Sequence, residues 1–280
     1  MSNRIRGALS SRGRLYYCAV FVALTAAWLP RAHAAANEAD PTASEVTEKS
    51  GWNGTIGVGP MLLPKYTGGK AQQVLPLPLL SINYDETVYI EVQRVGVYIF
   101  ASDDKKIGLG LAVEPRFGFR ASDAPRLAGM ITRRASLEGG LTFDWDFDVV
   151  AFSMAWLNDL NRTSRGQSAR FSVYAPFVKN SRGEIGFVAS ADRMNANITN
   201  YFFGVRTNET TGTRRAFTPP AGTAMSIGVG GTYRIAPGTS GWGGLIFGAN
   251  VGRLPRAIAA SPIVETRSTR QIYLGYGWTL

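Results

Sequence analysis

Residues 107–118 read IGLGLAVEPRFG, and their alternation decides the fold. Ile107, Leu109, Leu111, Val113, Pro115 and Phe117 fall on one face. Gly108, Gly110, Ala112, Glu114, Arg116 and Gly118 fall on the other. Successive strand side chains point to opposite faces, so this is a strand with one apolar face and one small or charged face. The same period recurs along the chain. Residues 135–145 set Leu137, Leu141, Phe143 and Trp145 against Ser136, Glu138, Thr142 and Asp144. Residues 225–235 set Met225, Ile227, Val229, Tyr233 and Ile235 against Ser226, Gly228, Gly230, Thr232 and Arg234. No long window carries a helical stripe.

Twelve candidate strands emerge, near 52–60, 73–83, 87–93, 96–101, 107–118, 135–145, 148–157, 169–178, 184–191, 224–235, 242–252 and 271–280. Ten is the alternative count, because the 87–101 hairpin is weak. The connections after even-numbered strands are short. Most of those after odd-numbered strands are long, with 192–223 the longest. Short turns at one end and long loops at the other fit an all-β, transmembrane, antiparallel up-and-down barrel of the outer membrane, with both termini in the periplasm.

A soluble sandwich also alternates, but three features weigh against it. Glu91, Glu114, Arg116, Glu138, Arg170 and Arg234 sit in mid-strand on the polar face, where a dry soluble core would not accept so many charges. Aromatic residues (Trp52, Tyr84, Trp145, Trp156, Trp242) gather near strand ends, as interfacial girdles do. The sequence ends within a strand, YLGYGWTL. There Ile272, Leu274, Tyr276, Trp278 and Leu280 oppose Tyr273, Gly275, Gly277 and Thr279. The spacing Tyr273, Gly275, Trp278, Leu280 resembles the terminal signal read by the barrel-assembly machinery, although a terminal Phe is more usual.

The net charge of +10 suggests a nucleic-acid binder, but position removes most of that argument. Residues 1–34 read as a cleaved secretory signal. Arg4, Arg6, Arg12 and Arg14 form a basic start, Cys18–Leu29 is an apolar run, and Ala32-His33-Ala34 is an A-x-A site. The run falls short of the roughly 20 apolar residues that a membrane helix needs. Without the leader's arginines the balance is scattered, and no nucleic-acid motif appears. Residues 35–50 are polar and aperiodic, and read as a disordered periplasmic linker; the barrel is expected to occupy 51–280. The only Cys and the only His, Cys18 and His33, lie in the leader. The mature chain would then hold no thiolate nucleophile, no Cys/His zinc site and no His-dependent triad. Lysines at 65, 70, 105, 106 and 179 read as solvated loop or turn residues. Asp144, Asp146 and Asp148 alternate in DWDFD and invite a Ca²⁺ reading, but the glycine and later Glu of a calcium loop are missing. No catalytic residue, cofactor or metal is expected.

Several stretches carry a family resemblance over about Gly51–Leu280. They are Gly57–Gly59 with Tyr66-Thr67-Gly68-Gly69, VLPLPLL (Val74–Leu80), YFFGV (Tyr201–Val205) and SPIVE (Ser261–Glu265). The chain resembles the MipA/OmpV outer-membrane proteins. The resemblance implies a non-enzymatic scaffold linking a murein-degrading lytic transglycosylase to a murein-synthesising penicillin-binding protein in peptidoglycan assembly. Other members imply porin-like or adhesive roles.

Two readings of the inward charges stay open. Glu91, Glu114, Arg116, Glu138, Arg170 and Arg234 would either pair and plug the lumen or line a small-solute pore. A barrel of this size lies between filled and open ones. Membrane lipid and lipopolysaccharide are expected partners, with Arg214 and Arg215 of the long loop as candidate phosphate contacts. The bland reading of that loop is a mobile surface segment.

Overall fold

The computed structural model describes residues 51–279 apart from 86, 105, 148 and 236–242. The expected leader (1–34), the linker (35–50), Trp242, Asp148 and Leu280 lie outside the described residues. Twelve strands form one closed antiparallel barrel in sequence order. They are β1 (Trp52–Pro64), β2 (Gln72–Tyr84), β3 (Val88–Glu91), β4 (Arg94–Ala101), β5 (Ile107–Arg116), β6 (Ser136–Asp146), β7 (Ala151–Asp159), β8 (Gln167–Asn180), β9 (Gly183–Met194), β10 (Gly222–Arg234), β11 (Gly243–Arg253) and β12 (Ser268–Thr279). The count is twelve, not ten, because the weak 87–101 segment does form the β3–β4 hairpin. Closure falls between β1 and β12, where Ile56 pairs with Trp278 and Leu62 with Ile272.

Period two explains both faces. Val58, Leu111, Leu141, Ile227, Ile272 and Leu274 are exposed on the outer wall, where hydrocarbon would take the place of a protein core. Aromatic residues mark the short-turn end: Trp52 packs on Tyr84 with ring centroids 5.0 Å apart, and Trp145 on Phe147 at 4.0 Å. Inside, one arc carries an apolar cluster of Met61, Leu63, Leu79, Ile246 and Tyr273. The opposite arc carries the charges described below.

Several boundaries differ from the sequence reading. β1 runs through Pro60 to Pro64, and β9 continues to Met194. Lys179, expected in a turn, lies on β8 with its ammonium 3.8 Å from Glu184. Asp144 and Asp146 belong to β6, and Asp144 accepts a hydrogen bond from Tyr98 at 3.0 Å. The long loop is not a bare segment. It contains helix α1 (Ala196–Phe203), and the β11–β12 loop contains α2 (Arg256–Ala259). Asn195 caps α1 by accepting from the Ile198 amide at 3.1 Å. Ile198 and Phe202, one turn apart, share its buried face. Eight residues were too few to show as a helical stripe.

Glycines let the seam close. A methyl group added at Gly59 would run into the carbonyl oxygen of Leu274 on β12, whereas one at Gly212 would meet nothing. Gly59→Ala should therefore destabilise the folded barrel by about 1–3 kcal/mol, and Gly212→Ala should not. Urea titration of the heat-modifiable folded band on a gel checks both. Equal midpoints for the two variants would contradict this packing.

Candidate functional site: the closed lumen and its cap

The inward faces of β4, β5, β6, β8 and β9 bring three guanidiniums and three carboxylates together near the long-loop end. Arg116 bridges the lumen. Its Nη2 donates to Glu138 at 3.0 Å and its Nη1 donates to Asp192, on the far strand β9, at 2.9 Å. Its Nε also donates to Glu138. Arg170 donates to Glu114, and to Glu138 at 3.1 Å. Arg94 donates to Glu114 at 3.0 Å. Ser168 adds a hydroxyl bond to Glu138 at 3.0 Å. Arg116 and Glu138 are each only 1% exposed, so water does not screen this network.

Of the six lumen residues expected from sequence, four meet here: Glu114, Arg116, Glu138 and Arg170. Glu91 sits at the tip of the β3–β4 hairpin, half-buried and in register with Arg94. Arg234 lies at the opposite, short-turn end of the barrel, where its amide donates to the Arg182 carbonyl at 2.6 Å. Asp192 and Arg94 were missed because the strands holding them were drawn too short. Continuing the alternation by two residues, from Ser190 to Asp192, would have placed that carboxylate inward.

Above the network the long loops pack into a cap. Arg133, from the β5–β6 loop, forks onto Glu209 of the β9–β10 loop with both contacts at 2.7 Å. It also donates to the carbonyls of Tyr201 (2.8 Å) and Ile131 (2.8 Å). Arg214 ties the same loops. It donates to the carbonyls of Glu209 (2.9 Å), Arg126 (2.7 Å) and Ala128 (3.0 Å). Arg214 is thus buried and bound inside the cap, which corrects its reading as a lipopolysaccharide contact; Arg215 is exposed. Ser261 donates to the Phe203 carbonyl at 2.6 Å, and Tyr66 to the Ile263 carbonyl at 2.8 Å. Tyr66, Phe119, Leu127, Met130, Val205 and Ile263 form the cap's own apolar core.

Between cap and ion network lies a cavity of about 60 Å³. Phe119, Phe202 and Phe203 line its apolar side, and Ser190, Asp192, Ser226 and Thr269 its polar side. It has room for a few water molecules. No group of three or more metal-ligating side chains occurs among the described residues.

In the terminal strand Tyr273 and Gly275 point inward and Trp278 points to the outer wall. This is the alternation required of a strand that closes the sheet.

A closed antiparallel strand order with an apolar outer belt is that of a transmembrane β-barrel of the outer-membrane type. The chain belongs to the MltA-interacting protein MipA family, whose model matches residues 56–280. No curated protein matches the chain. Solved structures similar to this chain include a NanC porin, at 10% identity over 80% of this chain and 100% of that one, with a TM-score of 0.41. A bacterial polysaccharide outer membrane secretin matches at 10% identity over 74% of each chain, with a TM-score of 0.35. A mutant Rh. blastica porin matches at 10% identity over 82% of this chain and 99% of that one, with a TM-score of 0.28.

Two outcomes follow from the geometry. Arg116→Leu leaves Glu138 and Asp192 without their bridging cation, and should cost about 3–5 kcal/mol of unfolding free energy. Arg253→Leu, on the exposed outer rim, should change stability by no more than about 0.5 kcal/mol. Denaturant titration of both variants checks this. The second outcome concerns pH. Burial is the largest influence on the Glu209 carboxyl and would raise it. The Arg133 fork and the amides of Arg206 and Ile131 outweigh burial, and hold the pKa down to about 2 from an ordinary 4.5. A depressed carboxylate stabilises the cap above its unfolded pKa, and that contribution is lost as pH falls from 4.5 towards 2. Pepsin cleavage within 195–221, corrected with a flexible control peptide, should accelerate across that window. Glu209→Gln should be cut readily at its upper end.

Proposed function

We propose that this protein is a non-enzymatic scaffold of the outer membrane. It would hold a lytic transglycosylase, the partner class carried in the family's name, near a murein-synthesising penicillin-binding protein. One observation carries this reading over the pore reading. The inward charges grip one another, and a bonded loop cap lies above them. A solute path would need those groups free. In this reading the barrel serves as an anchor, and recognition falls to what it presents to the periplasm.

That presentation follows from orientation. Tyr273, Gly275, Trp278 and Leu280 act as the terminal signal for the barrel-assembly machinery. Membrane lipid surrounds the belt, and both chain ends lie in the periplasm after cleavage of 1–34. The short turns then face the murein layer together with the 35–50 linker. Their groups include half-buried Lys106 beside exposed Asp104, and exposed Arg182 beside Asn180. A small-solute pore or a surface adhesin would instead place the working residues in the lumen or in the cap.

Affinity capture tests the scaffold. The immobilised, folded protein should retain a purified lytic transglycosylase, and with it the penicillin-binding protein. Charge reversal of the short turns (Lys106→Glu with Arg182→Glu) should weaken retention about tenfold, a loss of roughly 1.4 kcal/mol. The same reversal on the cap (Arg215→Glu) should not. Failure of the wild type to retain either enzyme would remove the proposal.

A further inference from the structure

The neighbouring strands β2 and β3 do not match in length. β2 extends from Gln72 to Tyr84, but β3 pairs with it only from Ser81 to Tyr84. The β3–β4 hairpin then turns back. Among the described residues no strand pairs with that side of β2 from Gln72 to Leu80. Lys65 N–H donates to the Ala71 carbonyl at 2.9 Å and Asp85 N–H to the Gly51 carbonyl at 3.3 Å. On an antiparallel ladder hydrogen-bonded pairs alternate with non-bonded ones. The odd-numbered residues of β2 therefore bond to β1, and the even-numbered ones aim their backbone groups at the uncovered side. Two of those even positions are Pro76 and Pro78, which have no N–H to strand. The VLPLPLL stretch thus removes donors along an open edge. The carbonyls that remain tolerate a missing partner better than amides do.

This edge lies at membrane depth. Trp52 and Tyr84 mark the girdle at the short-turn end. An apolar span of about 9–11 tilted residues runs from there to about Leu75. Open sheet edges occur in hydrocarbon only where they line a cavity or are covered. The inward face at this edge is apolar. Leu75, Leu77 and Val92 pack against the cluster of Met61, Leu63 and Leu79, yet Leu75 and Leu77 stay half-exposed while those three are at most 4% exposed. On the outer side Val74, Pro76 and Pro78 are exposed, so the groove is continuous with the lipid-facing belt.

We propose that the open edge of β2 is a lateral entry, and that the hydrocarbon chain of a membrane lipid seats through it against Leu75, Leu77 and Val92. The chain rather than the headgroup is the ligand. Glu91 stands at the hairpin tip beside Val92 and opposite Arg94, Arg94 is bonded to Glu114, and Arg170 holds the far side of Glu114. Two acids against two arginines leave no excess positive charge to attract a phosphate.

Photolabelling tests the entry. The full chain is refolded into phosphatidylcholine vesicles containing a lipid with a diazirine at mid-chain. Adducts are mapped after irradiation, with a heat-shift gel confirming the fold of each variant. Adducts are expected at Leu75, Leu77 or Val92 as well as at the outward Val58 and Ile272. Leu77→Gln should abolish labelling at Val92 and leave Ile272 labelled. Adducts confined to outward side chains would overturn the proposal. So would a Val74→Cys variant that disulfide-links two barrels while Leu77 stays unlabelled, which assigns the edge to a second copy. A disulfide between the substitutions Leu77→Cys and Ser44→Cys would overturn it equally, by assigning the groove to the chain's own N-terminal segment.

Discussion

Arg116 reaches across the barrel from β5 to Asp192 on β9 while holding Glu138 on β6. The rest of the lumen is arranged around that reach. A guanidinium at this depth has no water shell, so its charge must be matched in place. Glu138 accepts from Arg116, Arg170 and Ser168, and Glu114 from Arg170 and Arg94. Each added partner satisfies a lone pair that the previous one left buried. The outcome is a neutral network, and neutrality separates a plug from a selectivity filter. A filter keeps charge available for the passing ion. Here the charge is spent on neighbouring strands.

The cap extends the same logic into the loops. Arg133 and Arg214 are both buried and bind mostly carbonyl oxygens and Glu209, so two arginines replace the backbone ladder that irregular loops lack. The stretches that carry the family resemblance are the parts of this assembly. In SPIVE, Ser261 bonds Phe203, Ile263 enters the cap core, and Glu265 accepts from the Lys70 amide at 2.9 Å. Gly68, with φ of +92°, lets the β1–β2 loop turn beneath Val264. In YFFGV, Phe202 and Phe203 are buried and Val205 bridges to Phe217. These stretches therefore help to shut the long-loop mouth of the barrel and form the edge strand β2.

Much of this was legible in the alternation. Twelve strands, their facing and the inward charges follow from period two, because in a barrel one face meets lipid and the other a crowded interior. Three things were not legible. Strand ends fall short at Ala191 and Gly96 in the sequence reading, which hides Asp192 and Arg94. Residue type alone does not tell a bound arginine from a free one. Arg214 and Arg215 are neighbours in sequence, yet one is buried under three carbonyls and the other is exposed. The prolines of VLPLPLL were visible, but their meaning depends on a register and an unpaired edge that only the folded sheet supplies.

Single-channel conductance of the refolded protein in a planar bilayer tests the central claim most directly. A lumen shut by the Arg116 network and the cap predicts a silent membrane at moderate voltage, although the heat-shift gel shows folded barrel. Stable stepwise currents from the wild-type protein would contradict the account, because they would require a water-filled path through side chains that grip one another.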